Sequence, residues 1–347
     1  MKRKIPLTLA ALALFGLPAC GGGASAAGGK LIPEQATIMG GIDVAGLMKT
    51  KLYTEHGKAE LTKQPGWKEA AESAKACNLD LETAIASVVF GTDGKEGVAA
   101  VITGEGIGDE KNLTCIAEKA KEKNNGKVPF TIADDGGKKI LKMDDGKGQG
   151  FIVDGKTIAF ASDPWKAAVK DLIDGKGKSA TDGPNKDIFA RADQSKHIWA
   201  AGVLPADLAS AGKGVGVDPK DASGSFDFSD GLAVKATVTV ASAEQAEAAK
   251  KKADEGIGAL KGLAPMLGLP PKVADSISVT AKGAQISVEA SITNDDIKTL
   301  KEKAGGMMGG MMGGGGGGGM DAPPAEPPPA TPPADPAAAP AGGAPAN

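Results

Sequence analysis

The chain has 347 residues, with 40 Lys and Arg against 43 Asp and Glu, 51 Gly, 22 Pro, two His, three Cys and only 3% aromatic side chains. So even a charge balance lacks the cationic excess that drives nucleic-acid binding, and two His with three Cys are thin material for a zinc centre or a His-activated nucleophile. No nucleic acid, metal or cofactor is expected.

Lys2, Arg3 and Lys4 precede an apolar run from Ile5 to Leu17 that is too short to span a bilayer as a mature helix, so residues 1–19 read as an export signal. At its end, Leu17-Pro18-Ala19-Cys20 resembles the lipobox of bacterial lipoproteins, in which small residues precede a Cys that is acylated and becomes the new N-terminus. This four-residue resemblance implies lipidation at Cys20. Because Gly21 follows, and not Asp, it also implies an outer-membrane address, with palmitate-type chains contributing about 0.8 kcal/mol per buried methylene to a lasting anchor. Residues 20–30, rich in Gly and Ala, read as a flexible tether.

Residues 31–173 are expected to form a first α+β domain. A strand over Ala36–Asp43 leads into an apolar-periodic helix through Val44, Leu47, Met48 and Leu52, and a second helix runs from Trp67 to Cys77. Leu81–Phe90 and Val98–Thr103 read as strands, and Leu113–Lys123 as a helix capped by Asn112. Two hairpins follow, about residues 134–137 and about Asp154-Gly155, the latter with the composition of a type I′ turn. Asp163-Pro164-Trp165 opens a closing helix. With Cys20 taken by lipid, Cys77 and Cys115 remain as an even pair in an oxidising compartment and are expected to form a disulfide between two helices.

Residues 174–185, DGKGKSATDGPN, are polar and Gly-rich and read as a linker. A second α+β domain is expected over 186–304, with a strand at His197–Leu204, a helical turn at Ala206–Ala211 and a hairpin of Gly224–Phe228 with Leu232–Val240. In that hairpin Phe226, Phe228, Val234, Ala236, Val238 and Val240 alternate with polar residues, which places the apolar set in the core and the polar set in water. A long helix over 244–266, a hairpin about Lys282-Gly283 and a helix capped by Thr293 complete it. The fold class expected is therefore α+β with antiparallel sheets screened by helices, in two similar halves, one continuous curved sheet being the alternative. Residues 305–347, first Gly and Met, then Pro and Ala, are expected to be a disordered tail.

Catalytic motifs fail on spacing. Gly175-Lys176-Gly177-Lys178-Ser179 lacks the leading Gly of a phosphate loop, since Leu172 stands there. Asp144-Asp145-Gly146 and Asp230-Gly231 lack the distal Glu of a calcium loop and read as turns. His197 shares a strand face with Trp199, but no nucleophile or acidic partner can be assigned to it. Met307, Met308, Met311 and Met312 are numerous enough for Cu(I) but have no scaffold. The expectation is a non-enzymatic, lipid-anchored envelope protein with a structural or binding role, its partner being an envelope protein, the cell wall or an apolar ligand. A carrier of lipid or exported protein is the rival, and it requires an apolar groove between helices and sheet. An envelope enzyme ranks third.

Overall fold

A computed structural model describes residues 28–301 apart from Asn124, Gly214, Val215, Pro265 and 267–269. Cys20, the signal, most of the tether and the tail 305–347 lie outside the described residues, as do Met307, Met308, Met311 and Met312. The fold is α+β. Its strands are β1 (Ile38–Asp43), β2 (Ile85–Thr92), β3 (Val98–Gly104), β4 (Phe130–Asp135), β5 (Lys138–Met143), β6 (Gly148–Asp154) and β7 (Thr157–Ser162) in the first half, with β8 (Ile198–Val203), β9 (Pro219–Asp227), β10 (Leu232–Val240), β11 (Ser278–Lys282) and β12 (Gln285–Ile292) in the second. All twelve join one antiparallel sheet in the order β11-β12-β10-β9-β8-β1-β2-β3-β7-β6-β5-β4. The helices are α1 (Val44–Leu47), α2 (Lys58–Lys63), α3 (Pro65–Ala76), α4 (Leu81–Ala84), α5 (Glu110–Lys123), α6 (Lys166–Ile173), α7 (Lys186–Phe189), α8 (Ala206–Lys213), α9 (Ala243–Leu263), α10 (Pro271–Asp275) and α11 over 294–301.

The two halves are continuous through β1, which pairs with β2 on one side and β8 on the other. The expected linker is also built into the fold. Its backbone is tied to the opening segment by the Glu34 N–H to the Lys178 carbonyl and the Ala180 N–H to the Ile32 carbonyl, and Ser179 and Ala180 are buried. Polar composition marks a loop there, but two strand-like hydrogen bonds place it in the core.

Both faces of the sheet carry cover, whereas the sequence reading placed helices on one side. Val89, Val101, Ala159, Phe151 and Trp199 point to one face and pack with Ile32, Ala36, Trp165, Val169, Ala180 and Phe189 from the opening segment, the turn before α6, α6 itself, the 174–185 stretch and α7. On the other face Leu113 of α5 packs with Leu141 and Ile158. Farther along, α9 lies over β11 and β12. There Val279 is buried while its strand neighbours Ser278 and Thr280 are exposed, which identifies the covered side.

Several local expectations change. Residues 81–84 are helical, with Asp80 capping them by accepting from the Glu82 N–H. Asp109 accepts from the Lys111 N–H at the start of α5, while Asn112 lies inside the helix and donates to the Gly106 carbonyl. The β6–β7 hairpin forms, but neither Asp154 nor Gly155 has positive φ. Its Asp154 side chain closes the turn on the Lys156 N–H, with an irregularity in the register between Ile152 and Asp154. Gly136 and Gly137, at φ 61° and 84°, instead supply the type I′ conformation, in the β4–β5 turn. Thr293 and Asp296 exchange the two hydrogen bonds of a capping box.

At the sheet centre Gly41 lies opposite Trp199, and a Cβ there would run into the indole ring. Gly41→Ala is expected to lower unfolding free energy by about 1–3 kcal/mol through overpacking, measured by urea titration followed by circular dichroism.

Candidate functional site

The apolar residues of α3 and α5 do not close fully onto the sheet. They leave a groove of about 550 Å³, within the volume range of small-molecule sites. Trp67 and Ala70 line it from α3, Ile116 and Ala120 from α5, and Val88 and Ile102 from the sheet floor. Each position follows from local periodicity. Trp67, Ala70 and Ala74 recur at helical spacing along α3, Ile116 and Ala120 are four apart on α5, and Val88 and Ile102 face each other across β2 and β3. Lys123 and Glu69 stand at the rim, where the Lys123 ammonium donates to the Glu69 carbonyl at 3.1 Å. Of the three tryptophans, Trp165 and Trp199 are in the core and Trp67 is in the groove.

The Cys77–Cys115 disulfide joins the end of α3 to the body of α5. It thus ties the two groove walls together. Gly28, the first described residue, lies against Val89 and Val101 on the opposite face of the sheet. A second apolar trough, of about 340 Å³, lies on the groove side at β8 and β9 and is lined by Ile38, Ala200, Gly202, Leu208 and Phe226.

His197 is 8% exposed and does meet a carboxylate that the sequence reading missed. Its Nδ1 accepts from the Phe228 N–H at 3.1 Å and lies 3.2 Å from Asp227 Oδ1, while its ring meets Phe228 edge-on. Asp227 is already engaged, accepting from the Lys196 ammonium at 2.8 Å and from both the N–H and hydroxyl of Ser229. Burial pushes the Asp227 carboxyl up, but these hydrogen bonds outweigh it and hold the group well below the usual carboxylate range. Burial pushes the His197 imidazole down from 6.5, against the pull of Asp227. Through these contacts His197 pins the β9–β10 turn.

Among the described residues no group of three or more His, Cys, Asp or Glu is arranged to hold a metal ion, and no helix is long and apolar enough to cross a membrane. No protein-family model matches the chain, and neither a curated protein nor a solved structure matches it.

Two outcomes follow from this geometry. Replacing Cys77 and Cys115 by Ala is expected to cost about 2–4 kcal/mol by releasing the 38-residue loop, and to speed proteolysis within α3 and α5 in a limited-digestion time course. A depressed His197 pKa means that the unfolded chain binds this proton first. Stability is therefore fully present above pH 6.5 and falls as pH drops below it, until the folded imidazole itself titrates. Urea midpoints at pH 7.5 and 5.5 should show this fall in the native chain and a smaller one in His197→Gln.

Proposed function

We propose that the protein is a non-enzymatic binding protein of a bacterial envelope, anchored to the outer membrane by acyl chains on Cys20, that holds an apolar ligand of acyl-chain type. The carrier reading, second on sequence grounds, gains from the groove and merges with the binding role. The observation that carries it is the apolar volume of about 550 Å³ between α3, α5 and the sheet. The lining is mostly apolar, with Glu69, Ser73 and Lys123 as its polar members, so it favours a hydrocarbon chain over a wholly polar metabolite. A disulfide across its walls keeps it from collapsing when empty and lowers the entropy cost of binding. An anchored protein meets such ligands at the membrane surface, where they are concentrated.

A protein-contact role is the second reading, favoured by the exposure of Leu208 and Phe226 beside the other trough.

Native mass spectrometry of gently extracted protein tests the leading role, with Ala120→Trp filling the groove. Co-purified lipid at defined stoichiometry is expected in the native chain, and roughly a tenfold loss of occupancy in the variant. Binding of a fluorescent fatty acid should also quench Trp67 in the native chain. An empty native chain with no saturable fatty-acid uptake overturns the ligand and leaves the protein-contact role.

A further inference from the structure

On the face opposite the groove, β9 reverses the pattern that its sequence announces. Phe226, on the nominally apolar side, is 38% exposed, whereas Ser223 and Ser225 are only 5% and 6% exposed. The cause is cover. The segment Ala190–Gln194, which follows α7, arches over β9 and β10 and encloses a polar cup of about 560 Å³. Ser223 and Ser225 form its floor with Thr237 and Lys235, which are their cross-strand partners on β10.

Apart from the Tyr53 hydroxyl, which is buried without a hydrogen-bond partner, the other buried polar side chains named here are satisfied. Thr50 donates to the Leu47 carbonyl, Ser87 shares a hydrogen bond with Thr103, Ser179 bonds Thr181 and Asp182, and His197 accepts from Phe228. Ser223 and Ser225 hydroxyls have no hydrogen-bond partner among the described residues. Their oxygens are not sealed off but line the cup side by side, so their hydrogen-bonding capacity is open to a molecule within it.

We propose that this cup is a binding site for a small, neutral, hydroxyl-rich molecule, a sugar or polyol. Hydroxyls both donate and accept, so the floor is matched by a ligand that does the same. The charges about the cup are spent on one another. Arg191 donates to Asp221 and Thr239, Lys235 pairs with Glu289, and Asp193 takes both the N–H and the hydroxyl of Ser195. That pairing leaves no surplus cation to hold a phosphate or carboxylate, and no open carboxylate to hold an amine. Thr237 shares one hydrogen bond with Ser287 and keeps capacity for another. The site is independent of the groove, being on the other face of the sheet.

Saturation-transfer NMR on the full chain tests this with maltose, N-acetylglucosamine and mannitol as probes, and with inorganic phosphate and acetate as anionic controls. At least one neutral probe is expected to receive saturation, with roughly tenfold weaker affinity in Ser223→Ala/Ser225→Ala and no effect of Ala120→Trp. Thr237→Val keeps the side-chain shape, removes one hydroxyl from the cup and carries the test if the double variant does not fold. Absence of saturation for every neutral probe overturns the proposal. So does equal saturation in native chain and variants, binding of phosphate alone, or a double variant that merely melts higher while the native chain binds nothing.

Discussion

The sheet depends on a close fit around β1. This strand has neighbours from both halves of the chain, and at its centre it presents two glycines in place of side chains. The Phe90 ring occupies the space where a Gly40 Cβ would stand, and the Trp199 indole occupies the corresponding space over Gly41 on the opposite face. Aromatic rings from β2 and β8 thus fold inward over their shared neighbour and stitch the halves together from above and below. Large rings over a bare backbone bury much area without splaying the strands, and the conformational entropy that glycine loses in a strand is offset by that burial. Because β1 meets β8 some 160 positions later in the chain, this contact closes a long loop, so assembly of the full sheet is governed by a non-local event.

With β1 at the centre, the cover over each face falls into separate regions. The opening segment, α6 and the 179–192 stretch complete one side of the central strands, and α3 and α5 cover the other side from β2 and β3 across β7 to β5 and β4. Helices that pack end to end against a sheet without a long interdigitating side chain between them leave a gap. Here Ala70, Ala74 and Ala120 are too small to fill it. The disulfide is then more than a staple for stability. It fixes the spacing of two walls that otherwise meet through a small cluster about Ala74 and Ile116.

What was legible in the sequence was what is decided within a few residues. Hairpins, the Pro164 helix start, the Thr293 cap and the α9 periodicity all rest on near neighbours, and the disulfide followed from counting. The single sheet was not legible as such, because nothing near β1 announces a partner in β8. The 174–185 stretch has linker composition, yet its role is decided by carbonyl and N–H groups of residues 32–36, which composition does not register. Asp154-Gly155 matches a type I′ turn, but the adjacent irregularity in β6 changes the geometry that the turn must close. Neither the groove nor Asp227 at His197 could be read, since each is made by elements brought together only in three dimensions.

The Ser face of β9 makes the same argument in its sharpest form. Alternation divides a strand into two faces with certainty, because successive side chains must point opposite ways. It assigns neither face to the interior. That assignment comes from whatever packs above, and above β9 the 190–194 segment covers serines while Phe226 is left beside an open trough. A chain optimised only for burial would exchange these two faces, gaining apolar contact on one and hydration on the other. Keeping hydroxyls under cover and a phenyl ring in the open therefore opposes stability at both faces. Such paired departures from the folding optimum are characteristic of surfaces that meet something other than their own chain.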